Sequence, residues 1–449
     1  MTQASTRPVI FVDDSGLAGA GLDPLHGAWA AANGFSGQRG RLLAVPDGQG
    51  AIAAYLFGLG AAAERPVMIA GLAASQLREG NYRLYGAIGD PTLAALGFKL
   101  GAYRLDRYRQ AKEMPQLADL AGADSAEVAR LAAAAYLARD LINTAPNDLG
   151  PDAFEREIRA FAKARNMVVT SIVGDELLAA NFPMIHAVGR ASSEAPRLLD
   201  LSWGRPGDPR VTLVGKGVTF DTGGLDIKSA SGMLLMKKDM GGAANVLGLA
   251  SAIVDAGLPV RLRVLVPVVE NAIAGAAFRP GDVLTARNGL TVEIGNTDAE
   301  GRLILADALA FADEESPEIL LDMATLTGAA RVALGPDLPP LYSNDDMLAR
   351  ELMVAGLVLD DPLWQLPLWS PYDAMMSSRI ADVNNAGSGG FAGSITAALF
   401  LRRFVAQAKA WVHLDIYGWA PEARPGRPFG GTDQGIRAVY AVLKQRYPV

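Results

Sequence analysis

Three segments of this chain set carboxylates and cations close together in glycine-rich surroundings. VGKGVTFDTGGLDIK carries Lys216, Asp221 and Lys228; MKKDMGGAAN carries Asp239; TVEIGNTDAEGRLILADAL carries Asp298, Glu300 and Arg302. Four carboxylates gathered in one place repel unless positive charge sits among them. Three basic side chains could supply it. A pair of divalent ions does so better, since carboxylates bridging metals about 3.5–4 Å apart are a recurrent arrangement. Gly215, Gly217, Gly223, Gly224 and Gly295 would let the backbone approach an ion closely. Any one acidic pair here reads as a solvated loop; the whole constellation is what points to a metal centre.

Composition closes other routes. The 449 residues include no cysteine, which excludes disulfides, iron–sulfur clusters, thiolate zinc sites and a cysteine nucleophile. The only histidines are His26, His186 and His413, and their spacing does not suggest a three-histidine zinc site. Any metal must therefore be held mainly by carboxylates. Acids outnumber bases 48 to 41, for a formal charge of −7, which argues against a general nucleic-acid-binding surface. With half the residues hydrophobic and 20% charged, a large core is expected and long disorder is not. The N-terminus lacks the basic start and apolar run of a signal peptide. The most apolar stretch, 241–260, is broken by Asn245, Asp255 and Pro259, well short of the roughly 20 residues that cross a bilayer. The expectation is a cytoplasmic protein with no membrane partner.

Positioning these residues needs a scaffold. The first stretch alternates β-rich runs (PVIFVDD, RLLAVPDG, AIAAYLFGLG and RPVMIAG) with helical ones, including one from Pro91 to Tyr108. A long helix, SAEVARLAAAAYLARDLI, follows, with Ser125 as N-cap and Asn143, Pro146 and Gly150 stopping it. In the second half, RVTLVG, RLRVLVPVV, EILLDMA and KAWVHLDIY are continuous apolar runs, as in strands buried on both faces. Helices over 241–256, 301–314 and 394–406 lie between them. The pattern predicts an α/β protein of two domains: a smaller N-terminal α/β domain over 1–124, a linker helix over 125–150, and a larger catalytic α/β domain over 151–449 with a mostly parallel central sheet. In such sheets ligands sit at the carboxyl ends of the strands, where the three charged segments fall.

KGVTFDTGG, DMGGAA and above all NTDAEGRL resemble the leucyl aminopeptidase (cytosol aminopeptidase) family of two-metal metallopeptidases. The resemblance covers nearly the whole chain, with GFKLGAYRLDRYR, ARDLINTAPNDL, TLTGA and HLDI also in order. It implies a metal-dependent aminopeptidase that releases the N-terminal residue from peptides with a free N-terminus, working as a cytoplasmic homohexamer. Lys216, Asp221, Asp239 and Glu300 would hold one divalent ion, and Asp221, Asp298 and Glu300 the other, zinc or manganese in each case. Lys216 would bind as a neutral amine. Lys228 would stay protonated and stabilise the oxyanion. Arg302 would hold a bicarbonate that acts as general base toward a metal-bridging water, whose hydroxide attacks the peptide. Met236, Thr325, Leu326, Gly328 and Tyr417 would line the pocket for the first side chain.

Other readings stand beside these. His413, inside an apolar strand, reads as a core histidine. Met236 reads most simply as core packing, with the pocket wall resting on its family position. Lys237 reads as a solvated charge, and Lys238 is open between that and a place in the site. Trp364, Trp369, Trp411 and Trp419 read as packing or subunit contacts. The chain departs from the family at Ser229, Leu234, Leu235, Lys238 (often tyrosine) and Tyr417 (usually small). These departures put a preference for leucine in doubt and leave the proposed metal ligands intact. The rivals are a binding protein that kept the fold and lost the chemistry, which intact ligands disfavour, and a two-metal hydrolase of other amides or esters, which Lys216 disfavours.

Overall fold

The computed structural model describes residues 6–109 and 113–449. The first five residues of the predicted N-terminal domain, part of the segment read for a signal peptide, lie outside that range. Two compact units form: Met1–Tyr136 with Ala420–Gly430, and Leu137–Trp419 with Gly431–Val449. The helix Ser125–Asn143 runs through the division.

The first unit holds a five-stranded sheet, β1 (Arg7–Asp13), β2 (Leu42–Pro46), β3 (Ile52–Gly60), β4 (Gly80–Gly86) and β5 (Pro115–Leu117), in the order β2-β3-β1-β4-β5. Only the β2–β3 pair is antiparallel. Residues 54–59 of β3 are all buried, as its continuous apolar run requires. RPVMIAG is a correction. It is not a strand: the helix Ile69–Gln76 begins inside it, burying Ile69, Ala70, Ala73 and Ala74 on one face. A short apolar run reads the same in a buried strand and a buried helix, and here the alanines that follow extend it as helix. Strand β4 escaped the reading, although buried Tyr82 and Leu84 alternate with exposed Arg83 and Tyr85 at the strand period.

The second unit carries a nine-stranded sheet: β6 (Val168–Val173), β7 (Arg197–Trp203), β8 (Arg210–Gly215), β9 (Gly217–Asp221), β10 (Arg261–Asn271), then, after the small strands β11 (Val283–Thr285) and β12 (Thr291–Glu293), β13 (Ile319–Ala324), β14 (Pro340–Ser343) and β15 (Trp364–Gln365), and, after β16 (Val383–Asn384), β17 (Ala410–Asp415). The order is β15-β14-β17-β13-β8-β10-β7-β6, with β9 continuing beside β10. Strands β17, β13, β8, β10 and β9 run parallel, and antiparallel pairs occur toward the margins. This is the mostly parallel α/β sheet expected.

Register sets the strand ends at one edge. Gly215 lies opposite Met323, Ala324 opposite Asp415, and Asp221 opposite Asn271. Beneath that edge, Val214, Leu265, Leu303, Ile304, Leu305, Leu320 and Trp411 belong to one buried cluster. The helix Glu300–Asp313 is buried at every position except Phe311, so its first turn is anchored by packing rather than by a capping side chain. The helix Gly241–Ala256 is almost as enclosed and stops at Gly257, whose φ of 67° suits a glycine C-cap. His413 is wholly buried, its Nδ1 2.5 Å from Asp322 Oδ1, while Trp411 Nε1 donates to Asp322 Oδ2 at 2.8 Å. It is a core histidine. Trp411 and Trp419 are buried; Trp364 and Trp369 are exposed.

Candidate metal and active site

Strand β8 ends at Gly215, and the chain breaks step at Lys216 before resuming as β9. Lys216 N donates to Met323 O of the neighbouring strand at 3.0 Å, which ties the backbone there to β13. Its Nζ lies 2.8 Å from Asp239 Oδ2 and 3.0 Å from Glu300 Oε1, and donates to Thr325 O at 3.0 Å. Gly301 makes this approach possible: a Cβ there would stand 2.5 Å from Lys216 Cε. The glycine of NTDAEGRL is thus fixed by the lysine of another segment.

Asp221 closes β9. Its Oδ1 accepts from Gly223 N and Asn271 Nδ2, both at 2.8 Å, and its Oδ2 lies 2.8 Å from Lys228 Nζ. Gly223 takes a φ of 88°, which a side chain would strain, and this turn brings Lys228 back over the aspartate. Lys228 also pairs with Asp298 Oδ1. Two loops are locked together by Thr297, whose Oγ1 donates to Gly223 O at 2.7 Å and accepts from Asp226 N at 2.8 Å. Asp226 Oδ2 accepts from Thr297 N in return, at 2.7 Å. Asp239 Oδ1 accepts from Thr325 Oγ1 at 2.9 Å.

Oxygens of Asp221, Asp298 and Glu300 come within 4.8 Å of one another. Glu300 Oε2 is buried and has no hydrogen-bond partner. Four carboxylates here face two ammonium groups, so negative charge is left over. The titration of the cluster reflects it. Burial, then the neighbouring Asp221 carboxylate, pushes Glu300 up to about 7, and burial with Asp239 pushes Asp221 up to about 6. Burial also raises Asp298. Asp239 is held below the usual range: burial opposes this, but Lys216 and Lys238 outweigh it. Burial alone would discharge Lys216 and Lys228, yet the carboxylates around each hold it above the ordinary lysine value. An unpaired buried carboxylate oxygen beside two more carboxylates, with excess negative charge, is a donor set that fits hard divalent cations.

Arg302, in the first turn of its helix, is buried and donates through Nη1 to Asn385 O at 2.6 Å; its Nε has no partner. Burial lowers it to about 10. Asn385 is itself fixed, since its Oδ1 accepts from Gly295 N at 2.8 Å and its Nδ2 donates to Asn296 O at 2.8 Å.

These groups open on one cavity of about 350 Å³. Lys216, Asp221, Lys228, Asp239, Asp298, Glu300 and Arg302 all line it, together with Met236, Thr325, Leu326 and Gly328. Tyr417 is not among the lining residues; its ring sits 5.1 Å from Lys238 Nζ and 4.5 Å from Arg331 Cζ. Lys238, which read equally as a solvated charge, is 3% exposed and lines the cavity. Burial lowers it to about 8. Sequence reasoning missed Asn271, Thr297, Arg331 and Asn385. Arg331 lies one helical turn past Gly328 and was within reach of the 3.6-residue period, whereas nothing local marked Asn385.

Residues 136–440 match the family model described as cytosol aminopeptidase family, catalytic domain, and 15–121 match M17 aminopeptidase, N-terminal domain. A probable cytosol aminopeptidase of Syntrophotalea carbinolica is 42% identical over 78% of this chain and 74% of its own. One from Geotalea uraniireducens is 40% identical over 84% and 81%. The cytosol aminopeptidase of Coxiella burnetii, solved at 1.8 Å, aligns with a TM-score of 0.93 at 43% identity, covering 100% of this chain and 98% of that one. The bottromycin maturation enzyme BotP in complex with Mn aligns at 0.90 with 34% identity, covering 99% and 100%.

Proposed function

The chain belongs to the cytosol aminopeptidase family and is a hydrolase of that class, and from this premise we propose how its own residues carry out the reaction. Lys216, Asp221, Asp239 and Glu300 would hold one divalent ion, and Asp221, Asp298 and Glu300 a second. The observation that carries this assignment is the convergence of Asp221, Asp298 and Glu300 with Glu300 Oε2 left unpaired. BotP, a structural relative, is described with Mn, which favours manganese here, with zinc the other candidate. When bound, such ions supply Lewis acidity toward a carbonyl oxygen and make water nucleophilic near neutral pH.

The protein supplies the rest. Lys216 is held protonated by the carboxylates around it, so taking part in an ion site requires it to give up a proton, and loading would release one. Lys228 keeps its proton beside Asp221 and Asp298 and donates toward the oxygen that becomes negative as the peptide carbonyl is attacked. Arg302 offers its free Nε to a planar anion; bicarbonate held there would serve as the general base. Met236, Thr325, Leu326 and Gly328 wall the space for the first side chain. Glu300 and Asp239, anchored by Lys216, orient the end of the cavity that receives the free α-amine.

The substrates are accordingly peptides with a free N-terminus. No helix among the described residues is long and apolar enough to cross a membrane; the relatives' name supports a cytosolic location. A homohexamer is supported by resemblance to the family and by the exposed Met347, Val354, Leu357 and Val358 on the helix Asp346–Val358, an apolar face that a subunit contact would cover.

The reading is tested by blocking the amine. Manganese-loaded enzyme should hydrolyse alanyl-p-nitroanilide and leave the N-acetylated compound intact. Equal rates on the two would remove the exopeptidase assignment.

A further inference from the structure

Lys238 and Arg331 are two cations that line the cavity without an ion-pair partner among the described residues; Asp239 acts on Lys238 only from beyond ion-pair distance. Among the described residues, neither has a carboxylate oxygen within 4 Å, whereas Lys216 has two such partners and Lys228 has two. Asp239, next to Lys238 in the chain, is committed elsewhere: Oδ2 to Lys216 at 2.8 Å and Oδ1 to Thr325 at 2.9 Å. Among the described residues, Arg331 hydrogen-bonds only the carbonyl of Thr327, at 3.5 Å. Lys238 is 3% exposed. Burying an ammonium group with no counter-charge is costly, and a site that meets an anionic ligand recovers that cost.

The arrangement is built rather than incidental. The Tyr417 ring lies within cation–π distance of both groups, and Tyr417 N is tied to Gln434 Oε1 at 2.9 Å. The ring sits against both cations and is not among the residues that line the cavity. Lys238 lies two residues beyond Met236, and Arg331 three beyond Gly328, so both extend the wall assigned above to the first side chain.

We propose that this site selects peptides whose N-terminal residue carries a carboxylate, aspartate or glutamate, through Lys238 and Arg331. This rests on the aminopeptidase reading and adds the class of side chain it prefers. An aliphatic side chain would leave both cations unpaired; a carboxylate has two oxygens and accepts from both. Lys216 and Lys228 face the carboxylate cluster, and the roles proposed for them above, ion ligand and oxyanion donor, commit them there.

The test compares glutamyl-, glutaminyl-, leucyl- and alanyl-p-nitroanilides with the manganese-loaded full-length enzyme. Glutamyl and glutaminyl substrates have nearly the same shape and differ in charge, and neither anilide has a free C-terminal carboxylate. The kcat/KM for the glutamyl substrate should exceed that for the glutaminyl one by about tenfold or more, the scale of a charge-assisted hydrogen bond. Arg331→Met should reduce that ratio severalfold. Should that variant misfold, calorimetry on the unaltered enzyme decides: free glutamate should bind more tightly than free glutamine. Hydrolysis of leucyl or alanyl substrate with no glutamyl advantage, or equal binding of the two amino acids, overturns the carboxylate preference and leaves the aminopeptidase reading standing. Failure on all four substrates, with neither amino acid bound, overturns both.

Discussion

Glu300→Gln should lower kcat/KM of the enzyme by on the order of 10³-fold or more, well beyond the 10–100-fold that loss of a group supporting a metal ligand typically costs. Glu300 is 1% exposed, anchors Lys216 through Oε1 at 3.0 Å, leaves Oε2 unpaired, and has a carboxylate oxygen within 4.8 Å of those of Asp221 and Asp298. The amide removes one negative charge from the cluster and sets either a neutral oxygen or a donor NH₂ against the Lys216 ammonium. Two assigned ion positions lose a ligand at once. Asp239→Asn should be milder, because Asp239 is assigned to a single ion and one of its oxygens is already held by Thr325. Kinetics alongside metal content for both variants checks the ranking; equal metal content and equal rates would contradict the bridging role of Glu300.

Lys228→Met should lower kcat by about 10²–10³-fold with a much smaller change in KM, the size expected when one donor to a developing oxyanion is lost. Lys228 stands in the cavity between Asp221 and Asp298, which keep its proton in place across the working pH range. Methionine keeps the length and the packing of the stem while removing the charge. A purely structural lysine that only separates two carboxylates would show instead as lost metal content or lost stability. Measuring kcat, KM, bound metal and the urea midpoint for this variant separates the two roles, and an unchanged kcat excludes Lys228 from catalysis.

Much of the site could be read from the sequence because its residues sit in three short segments: one after the apolar strand β8, one in a helical turn before the helix Gly241–Ala256, and one between β12 and the helix Glu300–Asp313. Lys216, Asp221 and Glu300 stand out as charges in glycine-rich turns; Lys216 and Asp221 lie at the carboxyl ends of β8 and β9 in the large sheet, whereas Glu300 is brought to them by the buried helix that follows β12 of the small sheet. The misread segment was RPVMIAG, where a short apolar run carries no period long enough to separate helix from strand. Burial was harder to foresee than identity. Lys238 looks solvated in MKKDM because adjacent lysines usually are, and only the fold reveals that one of the pair is enclosed. Asn385 lies far along the chain from Arg302, in a segment with no local signal, and its role exists only once its side chain bonds Gly295 and Asn296 and its carbonyl receives Arg302. Tyr417 shows a similar limit: its type at a usually small position was legible, but its contacts with Lys238 and Arg331 come only from the fold.

We propose above all that two divalent ions complete the carboxylate cluster. The direct measurement strips the protein with a chelator, dialyses it, and titrates manganese while recording bound metal and aminoacyl-anilide hydrolysis on the same samples. The account predicts no hydrolysis in the stripped protein, a retained fold by circular dichroism, uptake of two ions per chain, and recovery of activity with that uptake. Full hydrolysis by protein verified to be metal-free, or saturation with no ion bound, would contradict it.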